Sequence, residues 1–343
     1  MNLTSLTATL LLTLFGNAYA GVVPDAIRVA RQDVESVAVQ SVESLASSLV
    51  RQVFAFTDGT FFENIATRSN GNLILTTLTH PWVYTLNPMA TSPKATVLAS
   101  FDSSVANSVL GIVEYALDQF AVITELSNTA TMSGTNTTIW TLDLRSSTPR
   151  TRQVAQLPAG SMGNGLTAIP GTSLVLVADT TVGAVWSVNV VTGAYRMVIK
   201  DAGMAPASTT LPLGINGLRV YGSLLYFVNS SKGTVGRLAI RTDGTAASPI
   251  QYLATTPSGQ FAYDDFAIDK GGRLWIAAHT NAVDLVYPNG KQVVVTTSLN
   301  ISSTDRGPTS AAFGRGSRTQ EQFLYVTSAS GIVWAVDTSQ VKM

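Results

Sequence analysis

The sequence predicts an all-β protein: a six-bladed β-propeller, a ring of six four-stranded blades closed by an N-terminal strand. Three observations carry this. From Val50 onward, short β-branched and aromatic runs alternate with Gly, Pro, Asn and Asp punctuation, and no helical period is sustained. The runs also recur as a group of three strands in a fixed order. Thirdly, the residues that open each group, Glu63, Leu110, Asn164, Asn216, Asp264 and Thr309, are 47, 54, 52, 48 and 45 positions apart, the length of a propeller blade.

At the N-terminus, Leu10, Leu11, Leu12, Leu14 and Phe15 form an apolar run before Ala18-Tyr19-Ala20, the small-x-small pattern of a signal peptide over residues 1–20. The run is too short to span a bilayer. The expected destination is the secretory pathway, either outside the cell or in an organelle lumen such as the vacuole. Residues 21–49 read as a lead segment, loose or a single helix, and residues 50–343 as the propeller. Blade one reads ENIATRSNG, NLILTTLT, WVYTLNP; blade three NGLTAIPG, SLVLVADT, GAVWSVNVVTG; blade five DDFAIDKGG, RLWIAAHT, AVDLVYPNG. The last unit supplies three strands, TSAAFGRG, QFLYVTSA and GIVWAVD, before the chain ends. An open edge is a liability, so Arg51 to Thr57 is predicted to pair as the outer strand of blade six.

Composition narrows the chemistry. With no cysteine among 343 residues, thiol nucleophiles, disulfides, cysteine zinc sites and iron-sulfur clusters are excluded. Lys+Arg and Asp+Glu both number 21, which gives no electrostatic footprint for nucleic acid or an anionic membrane. Only 12% of residues are charged, half the usual share. No G-x-S-x-G elbow is present, and the Gly-rich pieces lack the strand-to-helix setting of a phosphate cradle. Beyond the signal peptide, three N-x-[ST] sequons begin at Asn136, Asn229 and Asn300 and would suit a glycoprotein where they lie at the surface.

Repeat geometry locates a site. The first strand of each propeller blade lines the central channel, so its opening residue and the loop between its second and third strands should share one mouth. The opener ring contains Glu63, Asn164, Asn216 and Asp264. The loop ring contains His80, Glu125, Asp179, Asn229, His279 and Ser328, and so takes in both histidines of the chain. Two carboxylates and two amides make a hard-oxygen set for Ca²⁺, Mg²⁺ or Mn²⁺. The same residue types also serve at turns, where their side chains satisfy nearby backbone groups. Both readings stand at this level.

The segments NGLTAIPGTSLVLVADTTVGAVWSVNVVTG, INGLRV and DDFAIDKGGRLWIA resemble the SMP-30/gluconolactonase/luciferin-regenerating propellers, over about Glu63 to Asp337. That resemblance implies a divalent cation held by Glu63, Asn164, Asn216 and Asp264. The family's E-G-P and P-D-G openings are here Glu63-Asn64-Ile65 and Tyr263-Asp264-Asp265. The phrases FENIATRSNGNLILTTLT, PLGINGLRV, DDFAID and GPTSAAFGRG further resemble a fungal branch encoded in natural-product clusters. This implies a hetero-Diels-Alderase that joins a humulene-type sesquiterpene to a tropolone or related polyketide quinone methide, yielding tropolonic sesquiterpenoids or other meroterpenoids.

Such a pericyclase requires no cofactor. It would work by orienting two small molecules in a dry cavity. Asp264, Glu63, His80 and His279 are the candidate catalytic groups, one of them a general acid for loss of water from a hydroxymethyl precursor. Trp82, Asp179, Asn229 and Glu125 are candidate substrate contacts, although an aromatic in the position of Trp82 also serves blade packing. The alternatives are a metal-dependent lactonase using the four-residue set, and a non-catalytic secreted propeller that binds a ligand at its mouth. A monomer is expected, with no nucleic acid and no membrane span.

Overall fold

The computed structural model describes residues 49–257, 262–279, 281–296 and 307–341. The signal peptide, nearly all of the lead segment and the sequon at Asn300 lie outside the described residues. From Val50 the chain forms six antiparallel four-stranded sheets. Blade one is β2 (Phe62–Thr67), β3 (Leu73–Thr77), β4 (Trp82–Leu86) and β5 (Ala95–Ser100); blade two is β6 (Ser108–Ala116), β7 (Gln119–Asn128), β8 (Ser133–Asp143) and β9 (Arg150–Gln156). Blade three is β10 (Gly163–Ala168), β11 (Leu174–Asp179), β12 (Ala184–Asn189) and β13 (Tyr195–Lys200). Blade four is β14 (Ile215–Tyr221), β15 (Leu224–Asn229), β16 (Thr234–Ala239) and β17 (Gln251–Thr255). Blade five is β18 (Tyr263–Ile268), β19 (Leu274–Ala278), β20 (Ala282–Val286) and β21 (Gln292–Thr296). Blade six is β22 (Pro308–Phe313), β23 (Phe323–Ser328) and β24 (Ile332–Asp337), completed by β1 (Val50–Ala55).

The ring therefore closes as the sequence requires. β1 runs antiparallel to β24 with Arg51 opposite Ala335, through a bulge between Gln52 and Phe54. The edge left by a three-stranded last blade is paired, and the first and last strands are joined in one sheet.

Burial follows strand position. The second strands are apolar and buried on both faces, as in β3 and β19, whereas the outer strands β9 and β13 are largely exposed. Apolar clusters fill the seams between neighbouring blades, for example Leu176 and Val185 of blade three against Leu218 and Phe227 of blade four. Each fully buried side chain of this size contributes about 1.5–3 kcal/mol, so stability is spread around the ring.

The first strands share an irregularity that shapes the channel. In blades one to five the register of the first strand against the second breaks across two residues, between Phe62 and Ile65, Val109 and Ile112, Gly163 and Leu166, Ile215 and Leu218, and Tyr263 and Phe266. Each gap holds the opening residue and its successor. Such bulges re-aim side chains away from the regular pleat, and here they free both residues from the ladder at the ring's centre.

The successors make two groups. In blades two, three and four they are Gly111, Gly165 and Gly217; a Cβ there would lie 2.2 Å from the Asn164 carbonyl oxygen, 2.5 Å from that of Asn216 and 2.1 Å from Asp265 Oδ1. In blades one, five and six Asn64, Asp265 and Ser310 fill the space the glycines leave. The Asn64 amide donates to Asp265 Oδ2 at 2.9 Å, Ser310 donates to Asn64 Oδ1 at 3.0 Å, and Arg219 donates to Asp265 Oδ2 at 2.9 Å. This buried network plugs the channel and gives the mouth above it a floor.

Candidate functional site

A cavity of about 560 Å³ opens on that floor, and five of the six openers line it: Glu63, Leu110, Asn164, Asn216 and Asp264. The sixth, Thr309, donates instead to the Phe62 carbonyl at 2.8 Å. The bulges thus bring together the four oxygen-bearing side chains picked out in the sequence. Between 3% and 8% of each is exposed, so all four sit in a largely desolvated floor.

Their chemistry is unequal. Burial pushes the Glu63 carboxyl well above the usual carboxylate range, and the charges of Asp264 and Asp265 push it further, against an opposing hydrogen bond from Asn164. Asp264 is raised by burial too, but hydrogen bonding to His279 and the charge of that ring oppose the rise, with Asn216 acting in the same sense. His279 Nε2 lies 3.1 Å from Asp264 Oδ2, and the Asn216 amide donates to Asp264 Oδ1 at 2.7 Å and to Ser230 at 3.0 Å. The floor therefore presents two unlike carboxyl groups: Glu63, pushed up by burial and by its acidic neighbours, and Asp264, bonded to the His279 imidazole.

The walls are different. The β7–β8 hairpin is the longest of the ring, and Ser127, Met132 and Ser133 at its end form one side of the cavity. Met162 and the β13–β14 connection, through Leu211 and Leu213, add apolar surface to the wall. These loop residues were not singled out by sequence reasoning. Their signal is the spacing itself: the intervals of 54 and 52 residues exceed the others, and the surplus lies in the hairpin and in this connection.

The loop ring separates into one site residue and a set of turn supports. His279 lines the cavity; His80, Trp82, Glu125, Asp179 and Asn229 do not. Asp179 is fully buried and accepts from the Trp186 indole at 2.9 Å and from Val182 N at 3.2 Å. Asn229 donates to the carbonyls of Gly203 and Ala205, both at 3.0 Å, and accepts from Lys232 N at 3.1 Å. Ser328 accepts from Ser330 N. The end of a second strand stands one layer out from the channel, and a short polar side chain there caps the adjoining turn. Asn229 is fully buried, which closes its sequon in the folded protein. Asn136 is half-buried and donates to the Val105 carbonyl at 2.6 Å.

His80 stacks on Trp82 with ring centroids 4.5 Å apart and planes within 8°, its Nδ1 3.1 Å from Thr79 Oγ1. The expected equivalence of the two histidines fails in the ladder: Leu78, whose N–H donates to the Phe61 carbonyl at 3.0 Å, matches His279, whose N–H donates to the Ala262 carbonyl at 2.9 Å, and His80 lies two residues further on. Glu125 is fully buried; Oε1 accepts from Thr137 and, at 2.7 Å, from Gly163 N, while no partner reaches Oε2.

The four-residue set fits a hard divalent cation by one structural test. Asn216 Oδ1 is buried without a hydrogen-bond partner, and two desolvated carboxyl groups share the floor with it. Buried polar atoms normally find partners, and a cation would supply one. Among the described residues no group of three or more His, Asp or Glu has metal-holding geometry, so any such ion would depend on the amide oxygens of Asn164 and Asn216.

A closed ring of six four-stranded blades, with a polar floor at one mouth built from blade openings, defines a six-bladed β-propeller. Residues 214–330 match the SMP-30/Gluconolactonase/LRE-like region. The chain as a whole is similar to two proteins named "Putative hetero-Diels-Alderase". One, from Phoma sp, is 29% identical over 310 residues, 81% of this chain and 86% of that protein. The other, from Sarocladium schorii, is 27% identical over 316 residues, 81% of this chain and 77% of its relative. A luciferin-regenerating enzyme shares the fold, with a TM-score of 0.59 and 18% identity over 84% of this chain and 94% of that one. Among the described residues, no helix is long and apolar enough to cross a membrane.

Proposed function

We propose that this protein is a hetero-Diels-Alderase that joins a humulene-type sesquiterpene to a tropolone or related polyketide quinone methide. The observation that carries the reading is the cavity itself. It has apolar walls at Met132, Met162, Leu211 and Leu213 above a floor that offers the Glu63 carboxyl and the carboxyl of Asp264 paired with His279. Its likeness to relatives of that name supports the same reading.

The chemistry needs no covalent catalyst. In this reading Glu63, whose carboxyl burial favours in its protonated form, donates a proton to the hydroxyl of a hydroxymethyl precursor, which leaves as water, and the Asp264–His279 pair takes the proton from the ring hydroxyl. The resulting quinone methide adds through its oxygen and its methylene carbon across one alkene of the terpene, forming one C–O and one C–C bond. Held side by side in a dry enclosure, the reactants can gain up to about 7–11 kcal/mol from orientation. Asn164 and Asn216 keep the two carboxyl groups in place.

The assay mixes the purified protein with the two precursors and reads product ratio and stereochemistry against buffer. An unchanged ratio would sink the proposal. Glu63→Gln with Asp264→Asn is expected to lower the rate of quinone-methide formation by about 10²–10⁴-fold.

A second reading, a lactonase of the SMP-30/gluconolactonase type, draws on the orphaned Asn216 oxygen and the family match. Glu63, Asn164, Asn216 and Asp264 would hold a divalent cation, which when bound supplies Lewis-acid polarisation of a lactone carbonyl. Turnover of aldonolactones that a chelator abolishes would favour this reading.

A further inference from the structure

Beside the central cavity lies a second one, of about 450 Å³, and the two share Phe61 and Thr129 as walls. It sits at the seam where the closing blade meets blade one. There the chain leaves β1, and Phe56 N donates to the Gly331 carbonyl at 2.9 Å. The Phe56 ring is fixed from below, with its centroid 4.9 Å from Phe54, 5.4 Å from Phe62 and 5.2 Å from Tyr84. Phe61 is held through its backbone N–H, which donates to Thr79 Oγ1 at 3.1 Å. That hydroxyl also contacts His80, which is stacked on Trp82. Thr79 thus ties His80 to the wall of the second cavity.

The lining has a distinct chemistry. Phe56 and Phe61 offer aromatic surface, Thr57, Thr79, Thr129 and Ser330 offer hydroxyls, and none of the lining side chains is charged. Hydroxyls donate or accept as the ligand requires, and aromatic pairs gain from offset or edge contact. A hydrocarbon that displaced water from the hydroxyls of Thr57, Thr129 and Ser330 would give them no partner in return, and an anion would find no cation in the lining. The match is a neutral, flat, conjugated ring that carries several oxygens. In the central cavity the Met and Leu walls match a hydrocarbon, and the polar floor at Glu63, Asp264 and His279 is left for the oxygens on the reacting edge of the ring.

We propose that the second cavity binds the flat oxygenated reactant, while the central cavity binds the hydrocarbon, and that Phe61 and Thr129 mark the boundary across which the reacting atoms meet. This assignment rests on the two-reactant reading above. Phe61 lines both cavities and Glu63 lines the central one, so the reacting edge of a ring seated in the second cavity enters the central cavity past Phe61.

Two probes and two filling variants test it by equilibrium dialysis. The probes are tropolone and α-humulene. Thr57 is exposed, and Thr57→Trp fills the second cavity; Leu213→Trp fills the central one. Thermal melting of each variant checks that it folds like the wild type. Thr57→Trp is expected to weaken tropolone at least tenfold and leave α-humulene within twofold; Leu213→Trp should do the reverse. Tropolone that fails to bind the wild type, or that is lost through Leu213→Trp and spared by Thr57→Trp, overturns the assignment. The binding pattern without turnover of the precursor mixture would leave the site standing and remove the reaction. Turnover with tropolone in the central cavity would do the opposite.

Discussion

At the scale of single residues, the channel is decided by the residue immediately after each opener. Asn164-Gly165 and Asn216-Gly217 look like turn dipeptides in the sequence, yet each lies within a first strand, and their glycines are required by space. Gly111 shows the constraint most sharply, since a Cβ would lie 2.2 Å from the Asn164 carbonyl oxygen and 3.0 Å from Leu166 N. Both contacts are backbone, which gives way poorly. Gly111→Ala is therefore expected to destabilise the fold by about 1–3 kcal/mol and, by displacing Asn164, to lower activity as well. A melting temperature equal to that of the wild type would contradict the close-approach argument. The sequence identified the openers because the groups of strands they begin repeat at blade spacing. It did not identify the plug, because Asn64, Asp265 and Ser310 come from three blades and acquire a common meaning only when the ring closes.

At the scale of elements, the β7–β8 hairpin matters most. Its register shifts between Thr124 and Leu126, and Asn136 on the opposing strand has φ +62°, so its outer part is set off from the blade. Glu125 sits at that shift. Burial pushes its carboxyl up to about 8, with the Asp179 charge adding and the Thr137 and Gly163 hydrogen bonds opposing. The sign of the pH effect is set by that rise. A carboxyl that titrates near 4.5 unfolded and about 8 folded stabilises fully below the lower value and loses that contribution as pH rises to the upper one. The slope reaches at most about 1.4 kcal/mol per pH unit. Glu125→Gln removes the titration, so its melting temperature should decline less between pH 5 and pH 8 and exceed that of the wild type at the alkaline end. Parallel melting curves across that range would rule out an ionisable support at this position. The spacing of 54 residues marked this blade as enlarged, but the interior position of Glu125 was not readable, because a carboxylate beside Leu and Ser in a loop segment looks the same whether it faces solvent or Met162.

At the scale of the whole molecule, closure joins β1 to β24 and spares blade six an open edge. Removing the first 57 residues should expose the β24 ladder and lead to aggregation or a large drop in melting temperature, because unpaired edges recruit other chains. Removing only the first 49 should leave the melting transition of the ring unchanged. A ring equally stable after both cuts would mean that β1 adds little.

The sequence by itself determined the all-β class, the number of blades, the closing strand and the identities of Glu63, Asn164, Asn216 and Asp264. All of these are written in local alternation and in a repeat of near-constant length, which survive without knowledge of contacts. Only the tertiary structure decided that His279 reaches Asp264 while His80 turns to Trp82, that Asp179 and Asn229 support turns, and that a second cavity adjoins the first. Those outcomes depend on which side chains meet across blades distant in sequence, and on which buried groups find partners there. A one-dimensional pattern gives the period of the ring, whereas the chemistry of its mouth depends on the side chains that converge at the axis.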